Sequence, residues 1–343
     1  MAKEMTAQRT TITQVAQRAG VTIGTVSHVI NGTAPISKET TERVYAAIKE
    51  LNYIPNVMAK SLRSKKNYTV GLMIPNLNNS FHSKVTSVFV DRAYEDGYSV
   101  QILGYEYSLE RERRELKRLE SNHIGIVVIF NGYGDDEEIK NFLKKGIAVV
   151  LADRSTGIPG VPFVKYDNRK VMKDIVAMFH EKGYHRIGFF SEPIHLTNLE
   201  DRFQGYQDAL EAYGYSFDER NVFIKSNLCL DNLRNGYLYM KEILNTHKKE
   251  DIPDAWIASS DLLAIGMMRA ITECGYRIPG DFGVVGFDNT EISGYVNPRL
   301  TTVNQEQTLL GETLWKMVKK ISMGHGKMEN VSLEQQLVVR ESC

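Results

Sequence analysis

Three acidic residues stand directly after apolar runs: Asp153 after Val-Val-Leu-Ala, Asp261 after Trp-Ile-Ala-Ser-Ser and Asp288 after Val-Val-Gly-Phe. If those runs are strands of open α/β sheets, all three carboxylates sit at strand carboxyl ends, where such sheets bind ligands. A helix N-cap is the competing role, above all for Asp261 ahead of Leu-Leu-Ala-Ile-Gly-Met-Met, and the two roles are compatible. Signatures of covalent or nucleotide chemistry are missing: there is no GxxxxGK[ST], GxSxG or GxGxxG string. The nearest metal-like string is His180-Glu-Lys-Gly-Tyr-His185, but zincins need histidines four apart on one helical face, and Gly183 intervenes here. A helix C-terminus with basic residues is the better reading. Cys229, Cys274 and Cys343 lack metal-type spacing, so neither a metal, a cofactor nor an enzyme is expected.

The elements that must position these groups follow from the texture after residue 67. Apolar runs at 69–74, 98–104, 125–130, 147–152, 186–190, 255–259 and 282–287 read as strands. Helical patterns between them end in glycine before a new strand, at Gly97, Gly146, Gly183 and Gly275. Strand alternating with helix means parallel sheets covered on both faces. Nothing in the pattern forces two sheets rather than one, although some 275 residues exceed a comfortable single core.

The first sixty residues read differently. Ile12, Val15, Ala16 and Ala19 form one apolar helical stripe, with Thr11 as N-cap and Gly20 as the stop. Thr22 caps a second helix with Val26, Val29 and Ile30 turned inward, ending at Asn31-Gly32. Ser37 caps a third, running to about Leu51. Helix, short Gly-containing turn, helix and bracing helix is the helix-turn-helix pattern. Charge agrees with a polyanionic partner for this segment. The whole chain is formally neutral, yet residues 1–66 hold ten Lys and Arg against four acids, and the remainder carries the opposite excess.

The stretch TITQVAQRAGVTIGTVSHVINGTAPISKETTERVYAAIKELNYIPNVMAKSLRS resembles the N-terminal domain and hinge of the lac repressor (LacI/GalR) family. The match runs through VAxxAGV, TVSxVxNG, SxxTxxRV and YxPNxxAxSL, and further matches extend it over essentially the whole chain. The resemblance implies an α + α/β fold: an N-terminal three-helix helix-turn-helix domain (1–55), a hinge helix and linker (56–66), and an effector-binding and dimerisation domain (67–343). The last would be a periplasmic-binding-protein-like pair of doubly wound α/β subdomains, one of 67–167 and 300–331, the other of 168–299 and 332–343, with chain crossings near 167, 299 and 332.

Carried over position by position, Ile23, Gly24 and His28 should discriminate bases, while Thr11, Thr22, Thr25, Ser27 and Asn31 hold phosphates. The physics agrees, because a helix enters the major groove with its N-terminal residues nearest the base edges, while short hydroxyls and amides set register. Ile23 offers only apolar contact and Gly24 reads nothing directly, which leaves His28 with more of the readout. The segment 56–62 is too short for an isolated helix. The family implies that it folds on operator DNA, pairs with its twin and inserts Leu62 as a minor-groove wedge, with Ala59 leaving room for close approach.

Downstream, LEDRFQGYQDAL resembles the family's RxxGxxAL motif, SSDLLAIG its NDxxAxG motif and VVGFDN its IGFDD motif. Arg202, Asp261 and Asp288 should therefore contact an effector, together with Asp153 and, less securely placed, Asn198, Phe81 and His82. Relatives often read NPFF where this chain has Asn79-Ser-Phe-His82, so an aromatic platform at position 82 is in doubt. Carboxylates with an arginine and aromatics suit a polyhydroxylated ligand, since each hydroxyl donates and accepts. A sugar or sugar derivative is favoured, with a purine or nucleoside as the alternative. The expected partners are palindromic operator DNA, the effector and a second copy in a homodimer, because no heptad run follows a last strand at Leu337 to Arg340. No run of about 18 apolar residues is present, and the reading is of a cytoplasmic repressor without a membrane.

Overall fold

In the computed structural model residues 10–53, 68–132, 136–324 and 328–343 are described, and the chain divides into two units, residues 1–66 and 67–343. In the first unit Thr11 caps α1 (Ile12–Ala19) in a capping box with Gln14. Gly20, at φ 66°, ends α1 where a side chain would be strained. Thr22 accepts from the Thr25 N–H at 3.1 Å to open α2 (Ile23–Asn31), and Ser37 opens α3 (Lys38–Glu50). Val15, Ala16, Ala19, Val26, Val29, Val44 and Ala47 form the core of this unit. Seven small or β-branched side chains make a thin core, as expected for so short a unit.

The second unit runs β1 (Thr69–Ile74), α4 (Ser80–Glu95), β2 (Ser99–Gly104), α5 (Leu109–Ser121), β3 (Ile126–Phe130), α6 (Asp136–Lys144), β4 (Ala148–Ala152), β5 (Phe163–Tyr166), α7 (Asn168–Glu181) and β6 (Ile187–Ser191). It continues through α8 (Thr197–Ala212), β7 (Val222–Ile224), α9 (Asn232–Thr246), β8 (Ala255–Ala258), α10 (Asp261–Glu273), β9 (Gly283–Asp288), β10 (Thr301–Asn304), α11 (Gln307–Ser322), β11 (Val331–Leu333) and β12 (Gln336–Val338). Two six-stranded sheets result, ordered β11-β5-β4-β3-β1-β2 and β12-β10-β9-β8-β6-β7. Among the recorded pairings only β10 with β12 is antiparallel. Each sheet is buried on both faces, the first between the clusters around Phe89 and Trp315 and around Leu119 and Phe142. The second lies between clusters around Phe179 and Tyr206 and around Trp256 and Met267.

Two sheets, rather than one, is the arrangement the strand pattern left open. The chain crosses between them at Asp167, at Gln305-Glu306 and at Glu334-Gln335. The crossing expected near 299 lies later, at Gln305-Glu306, while those expected near 167 and 332 fall at Asp167 and Glu334-Gln335. Thr301–Asn304 pairs in parallel with β9, so residues 301–304 belong to the second sheet and not the first. The last strand is Gln336–Val338 rather than Leu337 to Arg340, in register with β10. Two glycines of the quoted motifs mark close helix approach: a Cβ on Gly205 would lie 2.8 Å from the Arg169 Cα on α7, and one on Gly266 would lie 2.7 Å from the Tyr237 N on α9.

Candidate functional site

Six strands bring a residue at or just past their carboxyl ends to one cleft between the sheets. Asp153 follows β4, Asn131 follows β3, Glu192 follows β6, Ser259 follows β8, Asp288 ends β9 and Gln305 follows β10. The N-terminal turn of α4 adds Asn79, Phe81 and His82, and α8 adds Asn198 and Arg202. The cleft is narrow, with a cavity volume of about 50 Å³. A larger cavity of about 580 Å³ lies around Ile158, Val161 and Ile321, but among the described residues no ionisable side chain lines it. Convergent polar groups make the smaller one the candidate binding site.

Local backbone explains how the strand ends turn into the cleft. Asp153, Asp288 and Asn131 adopt φ of 52°, 106° and 41°. Left-handed conformations are costly for residues with a Cβ and cluster where structure is spent on function. Asp153 is 2% exposed and its Oδ2 accepts from Asn198 Nδ2 at 2.8 Å and from Asn131 Nδ2 at 3.4 Å. The first bond joins the two subdomains across the cleft. Asp153 Oδ1 and Asn131 Oδ1 are buried without a protein partner.

Arg202, 4% exposed, is held on all sides: Nε donates to Asn168 Oδ1 at 3.0 Å, Nη1 to the Ser259 carbonyl at 2.8 Å and Nη2 to Gln305 Oε1 at 3.3 Å. Its guanidinium carbon stacks 4.0 Å over the Phe287 ring. Burial raises the Asp153 carboxyl above the ordinary range, opposed by the Arg202 charge and by the amide bonds. Burial also raises Asp288 well above it, reinforced by the Asp261 charge. Asp288 Oδ1 accepts from Gln305 Nε2 at 2.7 Å.

His82 is pushed down to about 4 by burial, with the Asn76 backbone opposing, and is therefore a neutral ring at neutral pH. It meets Phe81 and Phe130 edge-on at 5.5 and 5.8 Å between ring centres. The doubt over an aromatic platform resolves in this way: a flat, uncharged ring occupies position 82 beside Phe81.

Asp261 is not brought to the cleft, which corrects the expected effector contact. Its Oδ2 accepts from the Thr290 N–H at 2.7 Å and the Thr290 hydroxyl at 2.9 Å, and its Oδ1 from the Thr302 hydroxyl. Nor does it cap α10, because Ser260 does so. Its carboxyl, fully buried behind the cleft and raised by burial to about 6, ties the start of α10 to the loop after β9 and to β10.

Asn131 and Glu192 were missed, although each follows an apolar strand as abruptly as Asp153 does. Gln305 carried no such signal, since β10 is only four residues long and was not read as a strand.

In the first unit Val26 and Val29 are buried, which leaves the intervening outward positions of α2 to Ile23, Gly24, Ser27 and His28. Ile23 is 37% exposed. A Cβ on Gly24 would meet only Thr22 Oγ1, at 3.6 Å, so the fold does not require glycine there. Thr22 Oγ1 lies 2.9 Å from Thr25 Oγ1, and the Thr11 hydroxyl is engaged with Gln14. His28 Nδ1 lies 2.8 Å from Thr33 Oγ1. Asn31 ends α2. Its side chain, like Ala59 and Leu62 of the expected hinge helix, lies outside the described residues.

Residues 11–56 match the family model described as bacterial regulatory proteins, lacI family, and residues 176–343 match a periplasmic binding protein-like domain. The chain is 30% identical to the HTH-type transcriptional repressor PurR of Mannheimia succiniciproducens, over 97% of this chain and 98% of that protein. Among solved structures it is similar to a lac repressor dimer bound to operator and the anti-inducer ONPF, with TM-score 0.83, 27% identity and coverage of 98% and 99%. It is also similar to a complex of the transcriptional regulator CelR with cellobiose, with TM-score 0.71, 30% identity and coverage of 98% and 100%. A helix-turn-helix unit, a two-sheet unit with a polar cleft and these likenesses over nearly the full length agree: the chain is a DNA-binding transcriptional regulator and belongs to the lacI family of bacterial regulatory proteins.

Proposed function

We propose that this regulator is a repressor that binds palindromic operator DNA as a homodimer, and that a sugar or sugar derivative held by Asp153, Asn198, Arg202 and Asp288 sets its affinity for DNA. The observation that carries the effector reading is the pair of buried acceptors, Asp153 Oδ1 and Asn131 Oδ1, that face the cleft without a protein partner. Buried polar atoms are seldom left unpaired, and a ligand rich in hydroxyls supplies donors to both. Phe81 and the neutral His82 ring offer apolar surface to a ring face. The 30%-identical relative whose structure is a complex with cellobiose supports a sugar. The protein acts by binding rather than by catalysis, and we place it in the cytoplasm with its DNA.

On the DNA side, His28 is the principal base reader, Ile23 contributes apolar contact, and Thr11, Thr22, Thr25, Ser27 and Asn31 hold phosphates. Ala59 and Leu62 supply the close approach and the minor-groove wedge. Leu62→Ala should then weaken operator binding while effector binding stays as it is.

Thermal shift of the full chain against mono- and disaccharides, cellobiose included, and against purines tests the effector. A ligand at 100 times its Kd adds about 2.7 kcal/mol. Stabilisation by purines alone would replace the sugar by the nucleobase alternative, and stabilisation by neither would remove the effector reading.

A further inference from the structure

Each of the three chain crossings contributes one buried amide side chain to a common cluster. Asn168 stands one residue past the first crossing, Gln305 at the second and Gln335 at the third, and they are 1%, 1% and 8% exposed. Gln335 Nε2 donates to Gln305 Oε1 at 3.1 Å and, at a longer 3.4 Å, to Asn168 Oδ1. The cluster is wired directly to the cleft, because Asn168 Oδ1 also accepts from Arg202 Nε, Gln305 Oε1 also accepts from Arg202 Nη2, and Gln305 Nε2 donates to Asp288 Oδ1.

The bonding is incomplete in a complementary way. Asn168 Nδ2 is a buried donor without a partner, and Gln335 Oε1 is a buried acceptor without one. Two primary amides can pair through two hydrogen bonds, N–H to O in each direction. Here one direction is made, at the long end of the range, and its two unused atoms are the ones that the second direction needs. Arg202 Nε holds the Asn168 oxygen in place, so rotating that amide to use Nδ2 elsewhere would set two donors against each other. Closing the pair therefore requires the first crossing to move against the third.

We propose that Asn168 and Gln335, with Gln305 between them and the cleft, are positioning residues that form a two-state amide relay. In the arrangement described the Asn168–Gln335 pair is singly bonded and Arg202 and Asp288 are held for a ligand. In a second arrangement of the two subdomains the pair is doubly bonded. The relay rests on the reading of the cleft as an effector site. A ligand that draws on Arg202 or Asp288 alters the bonds that orient Asn168 and Gln305, and thereby biases the crossings.

The test uses full-length protein and the operator that the wild type enriches from random duplex DNA. Gln335→Leu removes both directions of the pair. Asn168→Asp keeps an acceptor for Arg202 and, in its ionised form beside the Arg202 guanidinium, offers Gln335 no donor, which guards against a variant that merely fails to fold. Neither can form the doubly bonded pair, so both should shift operator affinity in the same direction, by about fivefold or more, and the double variant should shift it no further. A purely structural role would lower Tm and leave operator affinity alone. Operator affinities of the single variants within twofold of wild type, or an additive double variant, would overturn the relay while leaving the regulatory reading intact. Failure of the wild type to enrich any sequence would defeat the regulatory reading and the relay with it.

Discussion

Thr33 Oγ1 lies 2.8 Å from His28 Nδ1, two residues beyond the end of α2 and past the left-handed Gly32. The contact orients the imidazole of the principal candidate base reader. It also couples the state of Nδ1 to that of Nε2, the nitrogen left for DNA: if Nδ1 donates to the hydroxyl, Nε2 accepts, and if the hydroxyl donates, Nε2–H is a donor.

Thr33→Val should therefore relax base preference at the same base pair as His28→Ala, by about 1 to 3 kcal/mol, while Thr33→Ser retains the preference. Thr25→Ala should weaken all sequences alike. Binding-site selection with each variant decides the matter, and wild-type preference in Thr33→Val would mean that the contact does not orient the reader.

Arg202→Ala should abolish effector binding, and the structure adds a stability loss. The side chain donates to Asn168 Oδ1, the Ser259 carbonyl and Gln305 Oε1 in a buried site; truncation leaves the two amide oxygens to Gln335 and the Ser259 carbonyl without a donor, and should destabilise the second unit by about 1 to 3 kcal/mol. Denaturant titration beside ligand titration separates the two effects. Full stability in the variant would contradict the bonding described.

Asp261 makes stability depend on pH. Its folded value, about 6, lies above the ordinary 3.8, so the folded form binds the proton more tightly than the unfolded one. The contribution is complete below pH 3.8 and is lost as pH rises through about 6, amounting to something on the order of 2 to 3 kcal/mol. Asp261→Asn keeps an acceptor for Thr290 and should flatten the profile of Tm between pH 4 and 6 relative to wild type. Parallel profiles would place the dependence elsewhere.

Gly266→Ala should lower stability by about 1 to 3 kcal/mol, because the added Cβ meets the backbone of α9 at Tyr237 N and Gly236 C, and backbone cannot give way as a flexible side chain can. Gly24→Ala, with only a hydroxyl at 3.6 Å, should leave Tm unchanged or raise it slightly. Calorimetric scans of both variants check the contrast. An equal loss in the two would mean that helix packing is not the reason for glycine at 266.

What the sequence by itself determined are features set within a few residues. Thr11, Thr22 and Ser37 cap the three helices because the capping partner lies three residues away, and Gly20 and Gly32 stop the first two because the left-handed turn is local. Asp153 and Asp288 were legible as cleft residues for a similar reason, since a long apolar strand ending in a carboxylate needs no distant partner to be noticed. Tertiary structure alone decided the rest. Asp261 follows its strand in the same manner, yet Thr290 and Thr302, 29 and 41 residues later, take its carboxylate away from the cleft. β10 is four residues long, and only its register against β9 and β12 shows which sheet owns it. Asn168, Gln305 and Gln335 are separated by up to 167 residues and carry no local signal. Their amides meet because two sheets share three crossings, and a long-range hydrogen bond is chosen by the packing that surrounds it, not by neighbours along the chain.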